Sequence, residues 1–397
     1  MTISTLPLSY CTNVHPGRTL DEVRQGLRTY TSRLQAELGR PVAAGLWLAA
    51  PVVRELLAQP TAVENFAKEL ESLGLSCYTL NGFPFGDFHS ARVKENVYLP
   101  DWTTAERLDY TIGCAEILAR LLPDGAEGSI STVPLGFKGF AHPLDFADQC
   151  AERLFQLARR LEELAAQTGR MIRLAIEPEP FCVLETTPET LAFFARLWER
   201  TPDARTLDAA RRHLGVCYDV CHQAVEFEDV PTSIGSLARA GIRINKVHIT
   251  CAIEIESPAT NPDALAALAR YVEPRYLHQT IGRTSSGSLV RSVDLSQALT
   301  AHSPPEYLEA QAWRVHFHVP VNAERLGPLG TTRAQIAEAL TAVAALEYAT
   351  HLEVETYTWE VLPEAPTKSP DLVAGLSREL GAASSLIEAA QKKTREG

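Results

Sequence analysis

The feature that constrains this chain most is an alternation of short apolar runs with helix-patterned stretches, sustained from end to end. Strand-like runs fall at 6–14, 42–49, 75–83, 128–135, 171–176, 214–218, 244–249 and 351–355, with one more at 312–319. Stretches with helical spacing lie between them, among them 20–38, 104–122, 144–167, 188–199, 332–344 and 371–390. Repeated β-α units imply parallel strands joined by right-handed crossovers. The runs are apolar without alternating, as strands buried on both faces must be. About eight such units predict an α/β fold, a single closed (β/α)8 TIM barrel over residues 1–391 with loop insertions. An open doubly wound sheet would usually carry a glycine-rich phosphate turn after an early strand, and none follows the first run. The irregular stretch 271–311, rich in Ser, Arg and His, reads as an insertion, and 392–397 as a frayed, disordered tail.

A barrel brings the C-terminal ends of its strands to one rim, where chemistry gathers. The run at 75–83 leads through a glycine-containing turn to His89. The run at 171–176 ends in Glu177, with Glu179 two residues on. The next delivers Asp219-Val-Cys-His222, and the one after it His248. The run at 312–319 carries His316-Phe-His318, two histidines on the same side of an extended chain. The last gives Glu353 and Glu355. Glu355 is placed at the rim, and Glu353 a layer deeper, where a charge would need a partner. Taken singly, each has a plainer reading: a strand-end carboxylate can cap a helix, and a histidine can be a hydrogen-bonded loop residue. His142, His213, His302 and His351 are read that way.

Jointly, Glu177, Asp219, His222, His248, His316, His318 and Glu355 form a set of oxygen and imidazole ligands converging on one rim. Such a set suits one to three divalent ions: Zn, Mn, Mg, Co or Fe. The eight cysteines form no C-x-x-C pair. An open catalytic site is therefore expected rather than a closed structural zinc, and the cysteines read as small core residues. Additional metal or substrate contacts are sought in His89, His278, Asn13, His15, Lys94 and Trp102. The plainer readings are a turn at Asn13-Val-His-Pro-Gly17 and a solvated charge for Lys94, as for Arg283 and Arg291. Trp102, Phe83, Phe85 and Phe88 are read either as stacking on a ring or as core.

The net charge of −12 opposes a nucleic-acid partner, because phosphate binding needs a basic surface. No apolar run approaches the ~20 residues that span a bilayer. The N-terminus lacks a basic segment followed by an apolar one, so a cytoplasmic protein with a small-molecule substrate is expected.

The order Glu177, Asp219-x-x-His222, His248, His316-x-His318, Glu355 resembles the xylose-isomerase-like barrel superfamily of sugar isomerases, ketose 3-epimerases and endonuclease IV-type phosphodiesterases. The epimerase branch implies one divalent metal on Glu177, Asp219, His248 and Glu355. It also implies that the two glutamates move the proton and that His222 lies near substrate. The endonuclease branch implies two or three zinc ions. Its Asp-x-His is here His316-x-His318, a departure that puts a full trinuclear cluster in doubt. Tyr10-Cys-Thr-Asn-Val-His-Pro-Gly17, Asn81-Gly-Phe-Pro-Phe-Gly-Asp-Phe-His89, Tyr98-Leu-Pro-Asp-Trp102, Tyr276-Leu-His-Gln279 and His316-Phe-His-Val-Pro320 together resemble EboE-type metabolite-traffic proteins. That resemblance implies work beside other proteins of a transport pathway and supplies no reaction. Three readings follow: metal-dependent isomerisation or epimerisation of a sugar or hydroxy-carbonyl compound, metal-dependent phosphoester hydrolysis, and non-catalytic carriage of a metabolite. Each is compatible with a homo-oligomer.

Overall fold

Seven strand-like runs become β1 (Ser9–Cys11), β2 (Ala43–Trp47), β3 (Thr79–Asn81), β4 (Gly128–Thr132), β5 (Ile172–Ile176), β6 (Leu214–Asp219) and β7 (Ile244–Ile249). Six strands then leave the series: β8 (Cys251–Glu256), β9 (Thr280–Arg283), β10 (Leu289–Ser292), β11 (Ala312–Val319), β12 (Arg325–Leu326) and β13 (Leu329–Thr331). β14 (His351–Val354) returns to it. The first seven and β14 close a parallel barrel in the order β1-β14-β7-β6-β5-β4-β3-β2. This computed structural model describes residues 3–363 and 369–396. The barrel is the one the alternation predicts, and its strands are buried almost throughout because helices cover them outside and side chains fill them inside. The last helix, Ser369–Glu396, continues through most of the expected tail at 392–397; Gly397 lies outside the described residues.

The insertion differs from its expected form. It is a six-stranded sheet, ordered β10-β9-β11-β8-β13-β12, with antiparallel pairing throughout. It spans 251–331 rather than 271–311, and it is built around β8 and the His-x-His strand β11. Only Thr250 separates β7 from β8, so the sheet grows directly from the barrel rim. The short strands Thr280–Arg283 and Leu289–Ser292, the second at the sheet edge, mix polar and apolar residues, which is why 271–311 reads as irregular.

One irregularity of this sheet aims the histidines. β11 pairs with β8 at Val315↔Ile253 and again at Val319↔Cys251, so His316, Phe317 and His318 oppose Ala252 alone. Such a bulge bends a strand and redirects its side chains. Phe317 turns away to stack on His278, with ring centroids 4.3 Å apart, while His316 and His318 face the barrel mouth.

Inside the barrel, Gly45 on β2 meets buried polar groups. A Cβ there would overlap Glu353 Oε1 and lie 2.7 Å from Ser9 Oγ. Gly45→Ala is therefore expected to destabilise the fold by at least the ~1–3 kcal/mol typical of overpacking, read as a lower denaturation midpoint at an unchanged m-value.

Candidate metal centre

β6, β7 and β14 are neighbours, and their register sets Asp219 beside His248 and His248 beside Glu353. β7 carries an extra residue at Asn245, because Val216 pairs with Ile244 and Cys217 with Lys246. That shift brings Lys246 and His248 into the lumen beside Cys217 and Asp219. Glu177 follows the end of β5 and Glu355 follows β14, so both stand at the same rim.

His248 Nδ1 lies 2.9 Å from Glu177 Oε1, 3.1 Å from Glu355 Oε2 and 3.5 Å from Asp219 Oδ2. One ring nitrogen cannot satisfy three carboxylates. Glu177 Oε2 and Asp219 Oδ2 are buried without a hydrogen-bond partner. Buried carboxylate oxygens need a donor or a cation. Ligand atoms of Glu177, Asp219, His248 and Glu355 all lie within 4.8 Å of one another, so this quartet fits a divalent ion.

The surroundings hold each ligand in place. Asp219 Oδ1 accepts from His222 N at 2.9 Å and Thr250 Oγ1 at 2.7 Å, so Asp219 caps the short helix Val220–Val225 while Oδ2 faces the centre. The helix-cap reading and the ligand reading are thus both satisfied, one oxygen each. Glu355 Oε1 accepts from Asn13 Nδ2 at 2.8 Å and Asn81 Nδ2 at 2.6 Å. Glu353 Oε2 lies 3.1 Å from His248 Nε2 and 2.5 Å from Lys246 Nζ. A carboxylate on the far nitrogen of a ligating histidine fixes its tautomer and leaves the near nitrogen as the donor atom. Burial opposes charge on His248, but Cys217, Glu177 and Glu355 outweigh it and hold the imidazole protonated well above its ordinary range. Binding of a cation at Nδ1 would displace that proton.

A second set of donors sits alongside. His222 Nδ1 donates to Pro178 O at 3.1 Å, His318 Nδ1 to Glu355 O at 2.9 Å, and His316 Nδ1 to Gln279 Oε1 at 2.6 Å. Each Nε2 is left as a lone pair. His316 Nε2 nonetheless lies 3.1 Å from both His222 Nε2 and His318 Nε2. Lone pairs facing one another at that distance call for a proton or a metal. Burial, then the neighbouring His222 and His318, push the His316 pKa well down, which disfavours the proton. Asp219 borders this set as well, at 3.9 Å from His318 Nε2.

The structure thus brings together Glu177, Asp219, His222, His248, His316, His318 and Glu355, with Asn13 beside them. It does not bring in the other candidates. His89 Nε2 donates to Asn13 O at 2.8 Å and supports that loop. His15 stacks on Tyr30 at 4.1 Å and bonds Tyr10, away from the rim; burial lowers its pKa to about 3. His278 spends Nδ1 on His316 O and Nε2 on Glu273, so it braces β11. Trp102 is fully buried and donates to Thr132 Oγ1. Lys94 lines the cavity, but its Nζ donates to Glu273 O, Tyr276 O and Asp294 Oδ2. Arg291 pairs with Glu226 and Glu185, and Arg283 lies over Phe227. Asn81 is a site group that sequence reasoning passed over, and Glu179 and Glu353, though named at the strand ends, were left out of the ligand set. The Lys246–Glu353 pair carried a signal: two opposite charges within runs that read as buried strands.

No family model matches the chain, and no curated protein does. Among solved structures the fold is similar to a xylose isomerase-like TIM barrel protein from Mycobacterium smegmatis in complex with magnesium. The TM-score is 0.51 at 14% identity, over 96% of this chain and 98% of that one. An IOLI protein with a binding zinc atom is similar at TM-score 0.48 and 11% identity, covering 98% and 99% of the two chains. A D-tagatose 3-epimerase-like protein gives 0.48 at 12% identity, with the same coverage. At these identities the likeness is one of fold, that of a TIM barrel of the xylose isomerase-like kind. No helix among the described residues is long and apolar enough to cross a membrane.

Glu353→Gln is expected to lower metal affinity by about 10–100-fold, the usual effect of losing such an outer partner. It also strands the fully buried Lys246, at a cost of about 3–5 kcal/mol. Adding Lys246→Met should restore the melting temperature while metal affinity stays low. A double variant that regains neither, or both, would contradict this division of roles.

Proposed function

We propose that the protein is a divalent-metal-dependent enzyme that moves a proton on a small hydroxy-carbonyl compound, as isomerases and epimerases do. The observation that carries this reading is Glu177. It lines the cavity above the quartet, and its Oε2 is buried with no partner. An unpartnered carboxylate oxygen at a substrate cavity is a proton acceptor in waiting. An ion on the quartet would polarise a carbonyl and its adjacent hydroxyl. Glu355 is suited to anchoring instead, because two asparagine amides occupy its Oε1. Asn13 and Asn81 belong to the motifs by which the sequence resembles EboE-type proteins, and on that resemblance we propose a substrate of a metabolite-traffic pathway. The test is deuterium wash-in: α-hydroxy ketones incubated in D2O with metal-loaded protein should gain deuterium at the carbon beside the carbonyl. Loss of that exchange on chelation and its return on reloading supports the reading; no exchange by protein shown to hold metal rejects it.

One observation favours a second reading, two-metal hydrolysis of a phosphoester: the histidine set beside the quartet. Elemental analysis of a His316→Ala/His318→Ala variant separates the two. One metal equivalent retained together with carbon exchange supports proton transfer. Loss of a second equivalent together with a phosphoesterase activity of the wild type supports hydrolysis.

A further inference from the structure

The cavity wall facing the ligand sets is aromatic. Phe88, Tyr276 and Tyr357 form one cluster, with ring centroids 4.9 Å apart for Phe88–Tyr276, 5.2 Å for Phe88–Tyr357 and 4.9 Å for Tyr276–Tyr357. Phe83 and Tyr98, 5.9 Å apart, line the same cavity. Tyr357 also lies 4.7 Å from the His318 ring, so the aromatic wall reaches the histidine set. The cavity holds about 490 Å³ of free space counting the open solvent at its mouth, of which about 50 Å³ admits the centre of a water-sized sphere, room for a small ligand.

Its charge is one-sided. Glu177 and Glu355 line it, and Asp219 stands behind them. Among the described lining residues the one lysine or arginine is Lys94. All three of its ammonium hydrogens are taken by Glu273 O, Tyr276 O and Asp294 Oδ2. At the aromatic end, away from the ion, a phosphate or carboxylate on the substrate would find no free ammonium or guanidinium group to pair with.

We propose that this site takes an uncharged substrate with a planar apolar body, of the size of one aryl ring, packed against Phe88, Tyr276 and Tyr357. The oxygen-bearing end then points toward Glu177 and Glu355. This excludes sugar phosphates, and it rests on the metal-dependent reading above.

Three hydroxamates test it, since all carry the same metal-binding head: acetohydroxamate without a ring, benzohydroxamate with one, and phosphoglycolohydroxamate with an anion. Each is titrated calorimetrically into metal-loaded protein. Benzohydroxamate should bind about tenfold tighter than acetohydroxamate, the scale of one aromatic contact cluster, and phosphoglycolohydroxamate more weakly than either. Phe88→Ala should shrink the benzo-to-aceto ratio severalfold, and Phe88→Leu serves if that variant does not fold. Equal affinities, tightest binding of the phosphorylated probe, or no binding by protein shown to hold metal overturns the proposal. Metal-free protein keeps the two readings apart. Benzohydroxamate binding there with undiminished affinity supports the apolar-body proposal while rejecting the metal.

Discussion

Asp219→Asn is expected to abolish tight metal binding at the quartet and weaken it at the histidine set, yet leave the metal-free protein at least as heat-stable as wild type. Asparagine keeps the oxygen that accepts from His222 N and Thr250 Oγ1, so the helix cap survives. Its amide replaces Asp219 Oδ2, the buried atom with no partner, and gives that position a donor to share with its carboxylate neighbours. Burial alone would raise the Asp219 pKa, but His222 and His318 hold it well below the ordinary carboxylate value, so its charge is fully present at neutral pH. Removing that charge relieves crowding with Glu177 and Glu355 and deprives a cation of its shared ligand. In wild type, metal at 100-fold above Kd adds about 2.7 kcal/mol to stability, a shift of several degrees in Tm. The variant should show little shift at the same concentration. A variant whose metal content and metal-induced shift match wild type would mean that Asp219 is a structural cap and nothing more.

How legible each part was follows from where its partners lie. The barrel could be read because strands buried on both faces announce themselves as unbroken apolar runs. The ligand quartet could be read because those runs end in Glu177, Asp219 and Glu355, with His248 near the end of its own. Glu353 was harder. Its partner Lys246 lies on the neighbouring strand, and whether it faces the lumen depends on an extra residue at Asn245 that no local pattern marks. Lys94 and His278 looked available because backbone carbonyls, Glu273 O, Tyr276 O and His316 O among them, leave no trace in a sequence. The same holds for β11. His316-x-His318 named its candidate ligands, but only the three-against-one bulge opposite Ala252 turns them from the insertion sheet toward the barrel.

Glu177→Gln should lower the rate of deuterium exchange by about 10²–10⁴-fold, the range that a positioned acid-base group contributes, with metal still bound. Asp219, His248 and Glu355 remain as three protein ligands, the number typical of an open catalytic zinc site. A glutamine oxygen can still stand where Glu177 Oε1 lies 2.9 Å from His248 Nδ1. What changes is the free oxygen, which becomes an amide that cannot take a proton. Glu355→Gln should behave differently. Its oxygen must keep accepting from Asn13 and Asn81, so its amide is left facing His248 Nδ1 in place of an anionic oxygen, and the ion is lost. Under the proposed function the two glutamates would divide the work rather than share the proton transfer: Glu177 would move the proton and Glu355 would anchor the ion. Both variants are measured for metal content and for exchange at saturating metal. Glu177→Gln exchanging at the wild-type rate with metal in place would reject Glu177 as the base. Loss of metal from Glu177→Gln alone would reverse the two assignments.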